Sequence, residues 1–214
     1  MQGRAKRRVT WVSRASFVIT AIAASGGASP QVTAPDDADL PAGAAPLEYS
    51  GYEARLGAFL HGVGGAEKNT YDLNPEFIFA KLPFGNDRWW RLLIPRPHLG
   101  GLINLEGRTS SGYAGALWTV PFRHRLFGEL FFDGALHDGY TNDAPAGRSD
   151  LGCTILFHVG GSFGYRFSEH WSWMVTVDHE SNGHSVFGIA CEGQGAATHN
   201  QGFNDYGTRI GYAF

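Results

Sequence analysis

LGCTILFHVGGSFGYRF, residues Leu151–Phe167, is the stretch whose reading decides the fold. Leu151, Cys153, Ile155, Phe157, Val159, Phe163, Tyr165 and Phe167 alternate with Gly152, Thr154, His158, Gly160, Ser162, Gly164 and Arg166, with Leu156 the one apolar exception. A period of two is that of an extended strand, whose successive side chains point to opposite faces. One face is apolar and the other small or polar. That pattern suits a barrel with lipid outside and a polar interior.

Seven further segments of about ten residues show the same alternation, the length a tilted membrane strand needs. They lie near Tyr52–Val63, Thr70–Leu82, Pro97–Gly107, Gly112–Pro121, Leu126–Asp138, Trp171–Asn182 and Phe203–Phe214. The expected fold is therefore all-β, an eight-stranded antiparallel outer-membrane β-barrel. Glu53, Glu76, Glu106, Glu129 and Asp133, with Arg55, Lys81 and Arg166, are expected to fill a polar interior, since side chains fill a barrel of eight strands. The pairs Trp89-Trp90 and Trp171/Trp173 read as interfacial anchors.

Composition agrees with this reading. The 214 residues include 30 glycines, 14% aromatic and 17% charged residues, against about 25% charged and about 7% Gly in ordinary soluble domains. A net charge of −3 offers no basic surface for a phosphate backbone, so nucleic acid is not an expected partner. Mean hydropathy is −0.19, and past the N-terminus no apolar run reaches the roughly 18 residues of a spanning helix.

The N-terminus has the marks of an exported protein. Arg4, Lys6, Arg7, Arg8 and Arg14 precede the apolar stretch Ala15–Ala24, and small residues follow. Residues 1–34 are expected to be a signal peptide cleaved at about 28–34, residues 35–47 a disordered Pro/Ala/Asp linker, and residues 48–214 the barrel. In an exported compartment Cys153 and Cys191 predict one disulfide, the alternative being two partly buried thiols. The short Ser168-Glu169-His170 link and the long link from Gly183 to Gln201 place Cys153 and the Cys191 loop at the same outer rim when both chain ends are periplasmic.

Chemistry is concentrated where the seventh strand ends, in Asp178-His179-Glu180-Ser181-Asn182-Gly183. His179 and Ser181, two residues apart, share a face with Trp171, Trp173, Val175 and Val177, the apolar one. A hydroxyl needs a base to become a nucleophile, and imidazole holds and releases protons near neutrality. A polar pair on the hydrocarbon side marks either a strand reaching the headgroup level or a site acting on a lipid of the outer leaflet.

His179-Glu180-Ser181-Asn182-Gly183 and the ending Asn200–Phe214 resemble the lipid A 3-O-deacylases of the Gram-negative outer membrane, the acyloxyacyl hydrolase-like proteins. The likeness covers the last third of the chain. It implies an eight-stranded outer-membrane serine esterase, a carboxylic ester hydrolase that removes the 3-linked hydroxyacyl chain of lipid A. Ser181 would be the nucleophile, His179 its base, and Asn182 an oxyanion donor through its backbone amide. The resemblance puts Asn204 where the family has the Glu that orients the histidine, with Glu192 in the long loop as the rival acid. His184 and His199 read as loop histidines. No metal or diffusible cofactor is implied. The implied partners are lipid A or lipopolysaccharide as substrate and the outer-membrane lipids, with a homodimer left open. The alternative function is a non-catalytic small outer-membrane barrel with a structural or adhesive role; a soluble ligand-binding barrel comes third.

Overall fold

The computed structural model describes residues 51–82, 93–123, 125–183 and 201–214. The expected leader and linker, Trp89, Trp90, His184, Cys191, Glu192 and His199 lie outside the described residues. Eight strands follow one another: β1 (Glu53–His61), β2 (Thr70–Ile78), β3 (Arg96–Asn104), β4 (Ser111–Arg123), β5 (Leu126–His137), β6 (Ile155–Arg166), β7 (Trp171–Ser181) and β8 (Phe203–Ala213). Each pairs antiparallel with its neighbours in sequence, and β1 pairs with β8 to close the barrel. The eight segments expected from alternation are these eight strands.

The polarity of the barrel is inverted relative to a water-soluble one. Leu56, Leu60, Tyr71, Leu73, Leu130, Phe163, Val175, Val177 and Ile210 are exposed on the outside, whereas Glu53, Arg55, Glu76, His98, Glu129, Asp133 and Arg209 are buried inside. In water such an apolar belt would cost about 25 cal/mol for each Å² left wet, whereas hydrocarbon removes that penalty. The barrel is a membrane-spanning one, and the soluble-barrel alternative is set aside. Trp171 and Trp173 lie outside at the end that carries the C-terminus.

Inside, Arg55, His98 and Arg209 organise most of the charges into contacts. Arg55 contacts Glu53 at 2.8 Å, Glu76 at 3.3 Å and Glu129 at 2.7 Å. His98 bridges Glu76 at 2.9 Å and Asp133 at 2.7 Å, and Asp133 also holds His158 at 2.8 Å. Arg209 donates to Asn74 at 2.6 Å and lies 4.9 Å over the Phe59 ring. Burial of such groups is tolerable because partners replace the lost water. Nearer the end away from the termini, Phe59, Leu102, Tyr113, Ala135, Leu151, Cys153, Leu156 and Phe203 form one buried apolar cluster beside the buried His61, Asp72 and Asp205.

Two details of the sequence reading need correction. Leu151 and Cys153 are not on the outer face of β6; both are buried. Gly152, at a φ of 75°, turns the chain so that the Cys153 amide bonds back to the Leu151 carbonyl at 2.9 Å, and the strand's alternation starts only at Ile155. Leu156, the apolar exception, faces inward into the apolar cluster. Glu106 and Lys81 are not interior strand residues either. Glu106 sits exposed in the turn after β3, accepting the Tyr71 amide at 2.9 Å, and Lys81 lies beyond the end of β2.

The loop after β1 is tied to the loops after β3 and β5 by Glu67, whose carboxylate accepts the amides of Thr109 at 2.7 Å and Ser149 at 3.0 Å and pairs with Arg148 at 3.0 Å. Burial opposes its ionisation, but hydrogen bonds from His61, Thr109 and Ser149 and the Arg148 charge outweigh it, holding the Glu67 carboxyl down at about 2.

Candidate active site

Strand β7 alternates without interruption, burying Ser172, Met174, Thr176, Asp178 and Glu180 and turning Trp171, Trp173, Val175 and Val177 outward. His179 and Ser181 continue the outward row and are half-buried. They therefore sit on the lipid-facing surface at the end of the barrel opposite the termini, as their phase in the sequence predicts.

The β7–β8 register sets His179 opposite Asn204. The side chains meet there, with His179 Nδ1 and Asn204 Oδ1 3.0 Å apart. With the amide oxygen accepting, Nδ1 carries the proton and Nε2 is left as the acceptor, the tautomer a general base needs. The acids flanking His179 in sequence cannot take the place of Asn204. Asp178 and Glu180 point into the lumen, where Glu180 accepts a hydrogen bond from Ser111 at 2.6 Å. Asp205 also points inward and accepts the Gly62 amide.

Ser181 and His179 share a face but are about 7 Å apart along the strand, and no hydrogen bond joins their side chains among the described residues. Gly202, just before β8, lies against both. A Cβ on Gly202 would lie 3.0 Å from His179 Cε1 and 3.0 Å from Ser181 Cβ, and 2.4 Å from the Glu180 carbonyl oxygen. The three groups crowd one point, which only a residue without a side chain can occupy. Asn182 turns the other way: it is buried and donates to the Leu151 carbonyl at 3.1 Å, so its side chain does not face Ser181's side of the sheet.

Next to this group, on the outer face, lies a groove of about 490 Å³ lined by Ala58, Leu60, Tyr71, Val175, Val177, Tyr206 and Gly207 among others. Val177 and Tyr206 form the cross-strand pair adjacent to His179 and Asn204, so the groove begins where the polar pair ends and continues toward the middle of the barrel. Its lining is almost wholly apolar, as an alkyl chain would require.

The barrel shares the fold of the outer membrane enzyme PagL. The PagL crystal structure superposes with a TM-score of 0.53 over 76% of this chain and 99% of the PagL chain, at 17% sequence identity. With PagL the protein has in common an eight-stranded closed barrel of outer-membrane type. No family model matches the sequence, and no curated protein matches it.

Of the residues expected from the sequence, His179, Ser181 and Asn204 are brought together on one surface, and Asn182 flanks them with its side chain turned inward. Glu192 lies outside the described residues, as does Cys191; Cys153 is buried and is not a free thiol. The sequence reading missed Gly202 and the groove. Gly202 lies in the quoted C-terminal segment, but its closeness to His179 depends on how β8 pairs with β7. The groove draws on β1, β2, β7 and β8, which no local pattern connects.

Proposed function

We propose that this protein is an outer-membrane esterase that removes the 3-O-linked hydroxyacyl chain of lipid A by a serine mechanism. The observation that carries the reading is the His179–Asn204 hydrogen bond on the lipid-facing surface, directly above an apolar groove. A polar pair there has little use unless it meets a molecule lying in the leaflet. The PagL fold and the H-x-S-N likeness to the lipid A deacylases favour the same chemistry.

In this reading an acyl chain lies in the groove along Val175, Val177 and Tyr206, which places its ester at the level of His179 and Ser181. His179 Nε2 takes the Ser181 hydroxyl proton as Oγ attacks the ester carbonyl carbon. The oxyanion forms against the Asn182 backbone amide. The bond to the sugar 3-oxygen then breaks, and imidazolium returns its proton to that oxygen. Water, activated by the same imidazole, releases the acyl group from Ser181 as a 3-hydroxy fatty acid. Asn204 holds the ring in the right tautomer but lacks the charge that would stabilise imidazolium, a role open to Glu192.

The test is mass spectrometry of lipid A from outer membranes carrying the folded, inserted protein or its Ser181→Ala variant. Loss of one 3-linked hydroxyacyl group with the unsubstituted protein alone supports the reading. Unchanged lipid A with both overturns it. The amide at position 204 specifically favours a second reading, a non-catalytic barrel with a structural or adhesive role, and that second outcome is the one it expects.

A further inference from the structure

In the lumen, at the same end of the barrel, lies a second cluster, which the proposed hydrolysis does not use. His61 at the end of β1, Asp72 on β2 and Asp205 on β8 are all buried, and each offers one ligand atom such that the three lie within 4.8 Å of one another. His61 Nδ1 is 2.8 Å from Asp72 Oδ2 and 3.7 Å from Asp205 Oδ1.

We infer that His61, Asp72 and Asp205 bind one divalent transition-metal cation of the Zn²⁺ or Mn²⁺ kind, which cross-links the first two strands to the last.

Unsatisfied atoms point to the ion independently of the cluster's composition. Asp205 Oδ2 is buried with no hydrogen-bond partner among the described residues, and so is Oδ1 of Asp178, which faces Asp205 across β7 and β8; the other Asp178 oxygen lies 3.6 Å from His158 Nε2. Buried polar atoms are nearly always satisfied, so orphans concentrated at one place call for a missing partner. An imidazolium on His61 balances one carboxylate, and Asp178 has His158 3.6 Å away, so the Asp72 and Asp205 pair is one positive charge short. A divalent cation balances two.

The surroundings are those of an oriented ligand set. Asn104 Nδ2 holds Asp72 Oδ1 at 2.8 Å, the Gly62 amide holds Asp205 Oδ1, and Glu67 Oε2 stands 3.5 Å from His61 Nε2. A carboxylate behind a metal-bound imidazole fixes its tautomer and raises its basicity. If Nδ1 faces the ion, Nε2–H is directed at Glu67. One imidazole nitrogen with two carboxylate oxygens suits Zn²⁺ or Mn²⁺ better than Ca²⁺ or Mg²⁺, which prefer oxygen alone.

The decisive experiment uses the folded full-length barrel in detergent, without a histidine tag, stripped with EDTA and equilibrated with Zn²⁺ or Mn²⁺. Retained metal is measured by mass spectrometry, affinity by calorimetry and the midpoint of thermal unfolding by circular dichroism. About one equivalent should be retained, with a higher unfolding midpoint than the stripped protein, and Asp205→Asn should weaken binding by at least about tenfold. Ser181→Ala should retain the metal fully, which separates this inference from the esterase reading. No retained metal in the folded protein, or equal retention by Asp205→Asn, overturns it. If Asp205→Asn does not fold, the stripped and reloaded unsubstituted protein decides: identical unfolding midpoints overturn the inference, and a raised midpoint with stoichiometric metal supports it.

Discussion

His179 and Asn204 face each other across β7 and β8 with Nδ1 and Oδ1 3.0 Å apart, a contact made by strand register and not by sequence proximity. An amide in this place orients the ring without contributing a charge. Asn204→Glu should therefore increase the rate of ester hydrolysis by about tenfold or more, and Asn204→Leu should lower it, since carboxylate-to-amide exchange at the orienting position of a serine hydrolase costs about 10⁴-fold. Release of 3-hydroxy fatty acid from lipid A in mixed micelles measures both. A slower Asn204→Glu enzyme would mean that the acid comes from elsewhere, and Glu192→Gln would then be the substitution to assay.

Gly202 separates positioning from folding. The Cβ of Gly202→Ala would fall 2.4 Å from the Glu180 carbonyl oxygen and against both His179 and Ser181. Backbone must shift by a few tenths of an ångström or more, at the point where the two side chains converge. Loss of about 10² in rate, with the barrel still folded by its electrophoretic mobility shift, is the expected result. Full activity in Gly202→Ala would remove the geometric basis for pairing Ser181 with His179.

The groove makes a prediction about chain length. Filling it with Ala58→Phe or Val175→Phe should slow hydrolysis of long acyl esters while leaving a short, water-soluble ester such as an acetate much less affected. Each methylene kept out of the groove forfeits about 0.8 kcal/mol of binding. Rates on an ester series of increasing chain length, compared between the variant and the unsubstituted protein, show whether the slope with length flattens. Parallel slopes would place the acyl chain somewhere else.

Arg55 is the centre of the interior charge network, with fully buried side-chain contacts to Glu76 and Glu129. Arg55→Ala takes the paired guanidinium from buried Glu129 and one of the cationic partners from Glu76, and destabilisation of about 3–5 kcal/mol is expected. Urea unfolding in detergent micelles, followed by tryptophan fluorescence, reads this directly. Glu129→Gln, which keeps the shape and a hydrogen-bond acceptor, should cost less than Arg55→Ala.

What the sequence determined by itself was everything that depends on neighbours along one strand. Alternation counted the eight strands, assigned Val175, Val177, His179 and Ser181 to the outer face, and turned Glu180 and Asp205 inward, because a strand's side chains follow a fixed period of two. Where that period is interrupted the reading failed: Gly152, at positive φ, carried Leu151 and Cys153 inward against their phase. Apart from the His179–Asn204 pair, which the family resemblance already implied, the tertiary structure decided which residues of different strands meet. Barrel closure sets β8 against both β7 and β1, so it put Asn204 on the imidazole of His179, laid Gly202 beneath the pair, and gathered His61, Asp72 and Asp205 into one buried cluster. Residue 205 lies far from 61 and 72 in the chain, and nothing short of the stagger of a closed sheet fixes such a distance.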